Sequence, residues 1–484
     1  MNHKFTNSNL AMKDRKTLAT FYSSKIHKSG IDGELNFRKD GYTATLGTPL
    51  FNLSQVSTEN HGKYSATAIS ADPTKVSQDY LPRPVHFTDE ESGICGILLD
   101  AHAELHHGPS LFSPLGQKLS GNTWVTSHAP ITEPLEPRTL RVFITCPKHE
   151  PVSESTENGL MLDHNGARTE ITVRSIPANN TLLGFEFEAR DCRPMEWWLS
   201  QVARPLSSLL SIAFMQITSI SSISMEIGSE VVEYKESGFD ESKVKSSRLV
   251  PPGDITPILV KSWLSVAQEL GQIHYYVSSE HVNLQVDALL YSSALEGIHR
   301  RAVEENSKIQ LTRSQERKLR NSIKFTISQF FEKIPSADVQ EMTRRAAPYA
   351  SMIQSPDYTN RLRYFTDRFS ETYPFLFGPD IELWINDVKS IRNKESHLFA
   401  LGKNDEKVHP ELEYVKYITY NYSLRILLTI ILLDLAGISG SQLRPQIESS
   451  DYIRFQLANL DLEEYWKEYS AIEQFEIWKA KSTE

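Results

Sequence analysis

The chain has little cysteine: three residues in 484, Cys95, Cys146 and Cys192, far apart and without Cys-x-x-Cys spacing. That excludes a disulfide framework and a zinc ribbon, and it fits a reducing compartment. There is no excess of positive charge either. Lys and Arg number 51 against 61 Asp and Glu, a formal net charge of −10. Proteins that coat nucleic acid unselectively gain most of their affinity by neutralising phosphates, so any nucleic-acid contact here has to be local. Long apolar runs are also scarce. Ile426–Leu433 is too short for a bilayer and ends at Asp434, and Leu209–Ile227 is interrupted by Gln216, several serines and Glu226. The N-terminal stretch MNHKFTNSNLAMKDRK has no apolar core, so neither a secretory signal nor a membrane association is expected, and the cytoplasm is the expected location. No Walker lysine loop, GxSxG elbow or HExxH helix occurs, which leaves triphosphate hydrolysis, serine-hydrolase and zinc-protease readings without support.

The composition, 39% hydrophobic and 23% charged, is that of an ordinary globular protein long enough for two or three domains. Its texture changes along the chain. Up to about residue 190 the pattern is strand-like. Gly33–Gly47 alternates on both sides of Lys39-Asp40-Gly41 and reads as a hairpin. Ile94–Leu99, Leu140–Cys146, Glu170–Val173 and Leu182–Ala189 are further strands, and Met195–Met215 is the first helix. Ile217–Ile227 and Val231–Tyr234 can return to the sheet. The polar, aperiodic stretch 235–254 reads as a linker. Beyond it the pattern is helical throughout: Ile255–Gly271, Val282–Glu305, Ser314–Phe331, Ala337–Ile353, Asn360–Phe375, Asp380–Ser390, Glu411–Leu435 and a tail near Tyr452–Tyr469. Pro410 starts the long helix and Gly437 follows it. The expected fold class is α+β: a β-rich domain over residues 1–250, then an all-α bundle over 251–484.

Three polar constellations stand out. In Asp100-Ala-His102-Ala-Glu104-Leu-His106-His107, a strand would place Asp100, His102, Glu104 and His106 on one face. His102, Glu104 and His106 are then candidate metal ligands, while a plain solvent face reads the same way and no metal is assigned. Arg313, Arg317, Arg320 and Lys324 recur at helical spacing and line one face. They form a candidate track for an RNA backbone, or a solvated face laced with Glu305 and Glu316. The third is Ile391-Arg392-Asn393-Lys394-Glu395-Ser396-His397, near a helix end.

The Arg-x4-His spacing of that third segment, with Asn after Arg, resembles the Arg-x(4–6)-His signature of HEPN ribonucleases. Residues 286–301, VDALLYSSALEGIHRR, resemble the first core helix of ApeA-like HEPN domains, above all over Ala294–Arg300. Gly30–Leu35 and the strands after it resemble the opening of the ApeA N-terminal domain, and Trp197–Phe214 resembles its late leucine-rich helix. The resemblance implies a metal-independent, cofactor-free endoribonuclease of bacterial anti-phage defence, working as a homodimer and unleashed by a phage-derived trigger. Its RNA substrate stays open among transfer, ribosomal and messenger RNA. It implies His397 for proton transfer, since imidazole titrates near neutral pH. Arg392 would bind phosphate through its planar fork, with Asn393 in support. Two alternatives stay beside this reading: an inactive HEPN-like module for dimerisation or nucleotide binding, and a metal-dependent activity in the N-terminal domain.

Five steps of an ideal helix rotate by about 140°, so an unbroken helix splays Arg392 from His397. Either the helix breaks within Asn393–Ser396, or a second copy completes the pair. In the plainest reading, Arg392 only sits near a helix C-terminus, paired with Glu395 or a neighbouring acid, and His397 is a loop residue. Glu296 and His299 are three apart and close enough to meet on a helix.

Overall fold

The structure, a computed structural model, describes residues 15–22, 30–38, 41–46, 50, 82–106, 116–131, 134–150, 154–164, 167–228, 230–236, 248–279, 283–303, 311–330, 336–346, 355–378, 380–396, 410–451 and 453. The chain divides into two compact units. The first is Met1–Ser207 with Thr218–Lys245, and the second is Ser208–Ile217 with Ser246–Glu484.

The first unit is β-rich and antiparallel in all its described pairings. Strands β1 (Arg15–Tyr22), β2 (Ile31–Arg38), β3 (Gly41–Leu46), β4 (Arg83–Asp89), β5 (Cys95–His106) and β6 (Gly116–Gly121) run in the order β4-β1-β2-β3-β6-β5. Pairing of β4 with β5 closes them into a barrel, which removes both sheet edges. Alternation decides what lies inside. Leu35 and Phe37 of β2, opposite Ala44 and Tyr42 of β3, are all buried. The hairpin expected around Lys39–Gly41 is present as the Arg38–Gly41 pairing of β2 with β3.

The long strand β5 joins the barrel to a second sheet. Cys95–Leu98 pair with β7 (Thr123–Ser127), and His102–His106 pair with β6. At the changeover sits Asp100, whose carboxylate accepts the backbone N–H groups of Asn122 and Thr123 and the Tyr42 hydroxyl. A Cβ on the adjacent Gly121 would lie 2.3 Å from the Tyr42 hydroxyl oxygen and 2.4 Å from the Asp100 carboxylate, so glycine alone fits there. From β7 the sheet continues through β13 (Glu230–Glu236), β12 (Ile220–Ile227), β8 (Thr139–Thr145), β11 (Leu182–Ala189), β10 (Ala167–Ile176) and β9 (Thr156–His164). The β1, β4, β6, β7 and β9 strands were not foreseen. They are short or rich in polar residues, so their alternation is faint.

Helix α1 combines Met195–Trp198, a π turn at Leu199–Ala203, and Arg204–Ala213. The expected linker is only partly loose chain. Lys235 and Glu236 finish β13, while Leu249 and Val250 are buried in the second unit and donate their backbone N–H groups to the Ala213 carbonyl. Residues 237–247 lie outside the described set.

The second unit is helical: α2 (Pro257–Leu270), α3 (Ile273–Ser278), α4 (Leu284–Ile298), α5 (Arg313–Phe330), α6 (Ser336–Ala346), α7 (Tyr358–Phe369), α8 (Ile381–Ser396), α9 (Pro410–Leu435) and α10 (Gly440–Ser449). Side-chain caps start several of them. Thr256 accepts from Leu259 N–H, Asn283 from Gln285 and Val286 N–H, and Asp357 from Asn360 N–H. Helix α4 is central and packs against α3, α7, α8 and α9. Helix α9 ends in a Schellman turn. Gly437 has φ 100° and donates to Asp434, and Ile438 donates to Leu433. Its Lys416–Leu435 portion, longer than the apolar run seen in the sequence, is long and apolar enough to cross a membrane by composition. Most of this stretch is buried by packing, as in a core helix. The tail near Tyr452–Tyr469 lies outside the described residues, apart from Ile453.

Candidate functional site

The polar residues of α4 face a small set of partners brought in by α7 and α8. On α8, Trp384, Val388, Ile391 and Glu395 share a buried stripe, and Arg392 lies beside it, 29% exposed at its side chain. The Trp384 indole N–H donates to Ser423 Oγ at 2.9 Å, which locks α8 against α9. Arg392 is thereby aimed at α4. Its guanidinium donates to Glu296 Oε2 at 2.6 Å, and its Cζ stands 4.6 Å from the centre of the Tyr358 ring at the start of α7. The Tyr358 hydroxyl faces the Ser292 carbonyl at 3.5 Å, and burial pushes its pKa upward, so it stays a neutral donor.

Glu296 gathers more than Arg392. Its Oε1 accepts from Arg361 of α7 at 2.8 Å and from Arg300 at 2.6 Å. Arg361 is almost wholly buried, 4% exposed at its side chain, whereas Arg300 is 57% exposed. The chain turns π-helical over His299–Val303, directly after α4. π turns inside helices recur at functional sites because the extra residue re-aims the side chains that follow. Here His299 points into the core against Tyr364 and Phe365, Arg300 points to Glu296, and Arg301 donates to the Glu269 and Leu270 carbonyls at the end of α2. Glu296 and His299 therefore serve different partners and do not pair with each other.

Other sequence candidates fall as follows. Helix α8 continues unbroken through Asn393–Ser396, so of the two alternatives for that segment, a break within it does not occur. Asn393 is on its exposed face. Arg392 pairs with the distant acid Glu296 rather than with Glu395, which is buried and accepts from the Tyr417 hydroxyl. His397 lies outside the described residues. Arg313, Arg317, Arg320 and Lys324 are all exposed on α5, where Arg320 pairs with Glu316 at 2.5 Å. In the barrel, His102 and Glu104 are exposed on β5 while Ala101 and Ala103 face inward, and the His106 side chain lies outside the described residues. Asp100 is committed to the strand changeover rather than to solvent. Among the described residues no group of three or more His, Cys, Asp or Glu is arranged to hold a metal ion.

Sequence reading set Glu296 aside and missed Arg361. Arg361 and Arg392 are 31 positions apart, and both are far from Glu296, so no local spacing ties them together. The one signal was an arginine at a helix position that is otherwise core, flanked by Leu362 and followed by Phe365 and Phe369.

A helical unit whose central helix carries a half-buried carboxylate, surrounded by arginines from two neighbouring helices, has the makings of an anion site. Residues 289–442 match the family model described as Apea-like HEPN. The helical part of this chain is thus similar to Apea-like HEPN domains, and Glu296, Arg300, Arg361 and Arg392 all fall within the matched span. No curated protein and no solved structure matches the chain significantly.

Proposed function

We propose that the chain is a metal-independent HEPN endoribonuclease of bacterial anti-phage defence, cutting RNA through Arg392 and His397 and acting by abortive infection. The observation that carries this reading is the position of Arg392. Inside the span similar to Apea-like HEPN domains, it is held by Glu296 and stacked on Tyr358, with its charge near the surface.

The chemistry needs no external nucleophile. The RNA 2′-oxygen attacks the adjacent phosphorus, the bond from phosphorus to the 5′-oxygen breaks, and a 2′,3′-cyclic phosphate forms. His397 manages the proton lost by the 2′-hydroxyl and the one gained by the 5′-oxygen. Arg392 stabilises the charge that builds on the phosphate oxygens, often the largest catalytic contribution. Asn393 supports the scissile phosphate. Since α8 runs unbroken past Asn393, a homodimer completing the cleft is part of the proposal. The exposed face of Arg313, Arg317, Arg320 and Lys324 extends the RNA contact, and the cytoplasm is the compartment.

Residues 1–250 are proposed as the sensing and restraining domain and 251–484 as the nuclease domain. The test is RNA from phage-infected bacteria, with its fragment ends chemically identified. Fragments with 2′,3′-cyclic phosphate and 5′-hydroxyl ends, formed by wild type but not by Arg392→Ala, are expected. Intact RNA in infected wild-type cells would reject the nuclease. Restraint is tested separately by deleting residues 1–250, which should poison uninfected cells; healthy cells with a folded nuclease half would refute it.

A further inference from the structure

Three guanidinium groups meet one carboxylate at Glu296. The partners differ in depth. Arg361 reaches Glu296 from the core, where burying an unpaired cation would be costly, so its pairing fixes the carboxylate in place. Arg300 and Arg392 approach from the solvent side, one on each oxygen: Arg300 on Oε1 and Arg392 on Oε2. The carboxylate thus holds two partly exposed guanidinium groups, one at each of its oxygens. A phosphodiester offers two non-bridging oxygens, and paired guanidinium forks match such a group in charge and geometry.

We propose that Glu296 is a positioning residue that sets Arg300 and Arg392 as a two-arginine clamp for one phosphodiester of an RNA strand, braced from the core by Arg361. This rests on the nuclease reading and adds Arg300 as a second phosphate-binding residue. The π turn at His299–Val303 and the ring of Tyr358 serve the clamp from its two sides: one directs Arg300, and the other supports the flat face of Arg392.

The test uses the full-length protein and a short single-stranded oligonucleotide of mixed sequence, 2′-O-methylated so that it cannot be cut. Binding is followed by fluorescence anisotropy across a salt series. Arg300→Ala should weaken binding about tenfold, the loss of one charge-assisted contact. The slope of log affinity against log salt should fall by about 0.7, the value for one phosphate contact on a single strand. Arg300→Lys keeps the charge, and should retain the slope while losing part of the affinity.

Glu296→Gln gives the sharper sign. It removes a negative charge, so simple attraction would make binding tighter, whereas loss of positioning makes it weaker. Weaker binding, measured well below the variant's lowered melting temperature, is expected, and tighter binding overturns the proposal. Arg300 is solvent-facing, so its alanine variant still decides the question if Glu296→Gln does not fold. Loss of binding in Arg392→Ala with none in Arg300→Ala overturns the clamp and leaves the nuclease reading standing. Indifference to both substitutions overturns the two together.

Discussion

The β-rich unit and the helical unit place charge by different means. In the sheet, register brings opposite charges together across neighbouring strands. Arg141 of β8 stands directly across from Glu186 of β11 and also reaches Glu226 of β12, with contacts of 2.7 and 2.5 Å. In the helical unit, Glu296, Arg361, Asp387 and Glu395 are carried inward, and each meets a partner from another helix. Taking charges out of water costs several kcal/mol per ion, and buried pairs seldom beat well-packed apolar residues. The sheet's charges are therefore explained by register. Those of the helical unit are explained by what they hold in position, which on this account is Arg392.

The steepest way to break this contrast is catalytic. Arg392→Ala should lower RNA cleavage by about 10²–10³-fold, the usual loss of a transition-state charge stabiliser. The barrel double variant His102→Ala/Glu104→Ala should leave cleavage unchanged, and RNA integrity in infected cells checks both. Next comes stability. Arg361→Met leaves Glu296 without its core brace and should cost about 3 kcal/mol, read from denaturant melts.

A pH effect of similar size belongs to the helical unit. His274 is buried, with Ser208 Oγ 2.9 Å from its Nδ1 and Trp263 edge-on, and burial pushes its pKa down to about 4. The unfolded value is near 6.5, so between about 4 and 6.5 the unfolded chain binds the extra proton. Stability from this group is whole above about pH 6.5 and falls by up to about 3 kcal/mol as pH drops toward 4. His274→Phe should flatten that part of the stability–pH curve. The smallest effect is in the barrel. Asp100→Ala frees the N–H groups of Asn122 and Thr123 and should cost about 1–3 kcal/mol, with cleavage intact.

Much of the architecture was legible in the sequence. Period-two alternation located β2, β3, β8 and β11, and punctuation located both ends of α9, since Pro410 opens it and Gly437 closes it in a left-handed turn. Closure of the barrel was not legible, because it depends on β4, a strand without clean alternation, finding β5. The site was half legible. The most conspicuous polar string, Asp100–His107, gives one strand-changeover residue and two exposed side chains. The quieter residues, Glu296 and Arg361, are joined only when α4 and α7 pack. Spacing reveals chemistry that lies on one element. It is silent when three helices each contribute a single side chain.

The most direct test of the nuclease claim compares wild type with His397→Ala at equal soluble expression in phage-challenged bacteria, scoring plaques and total RNA together. Wild type should cut RNA and suppress plaques, and the variant should do neither. A variant that protects as well as wild type would contradict the account and leave the helical unit as a binding scaffold.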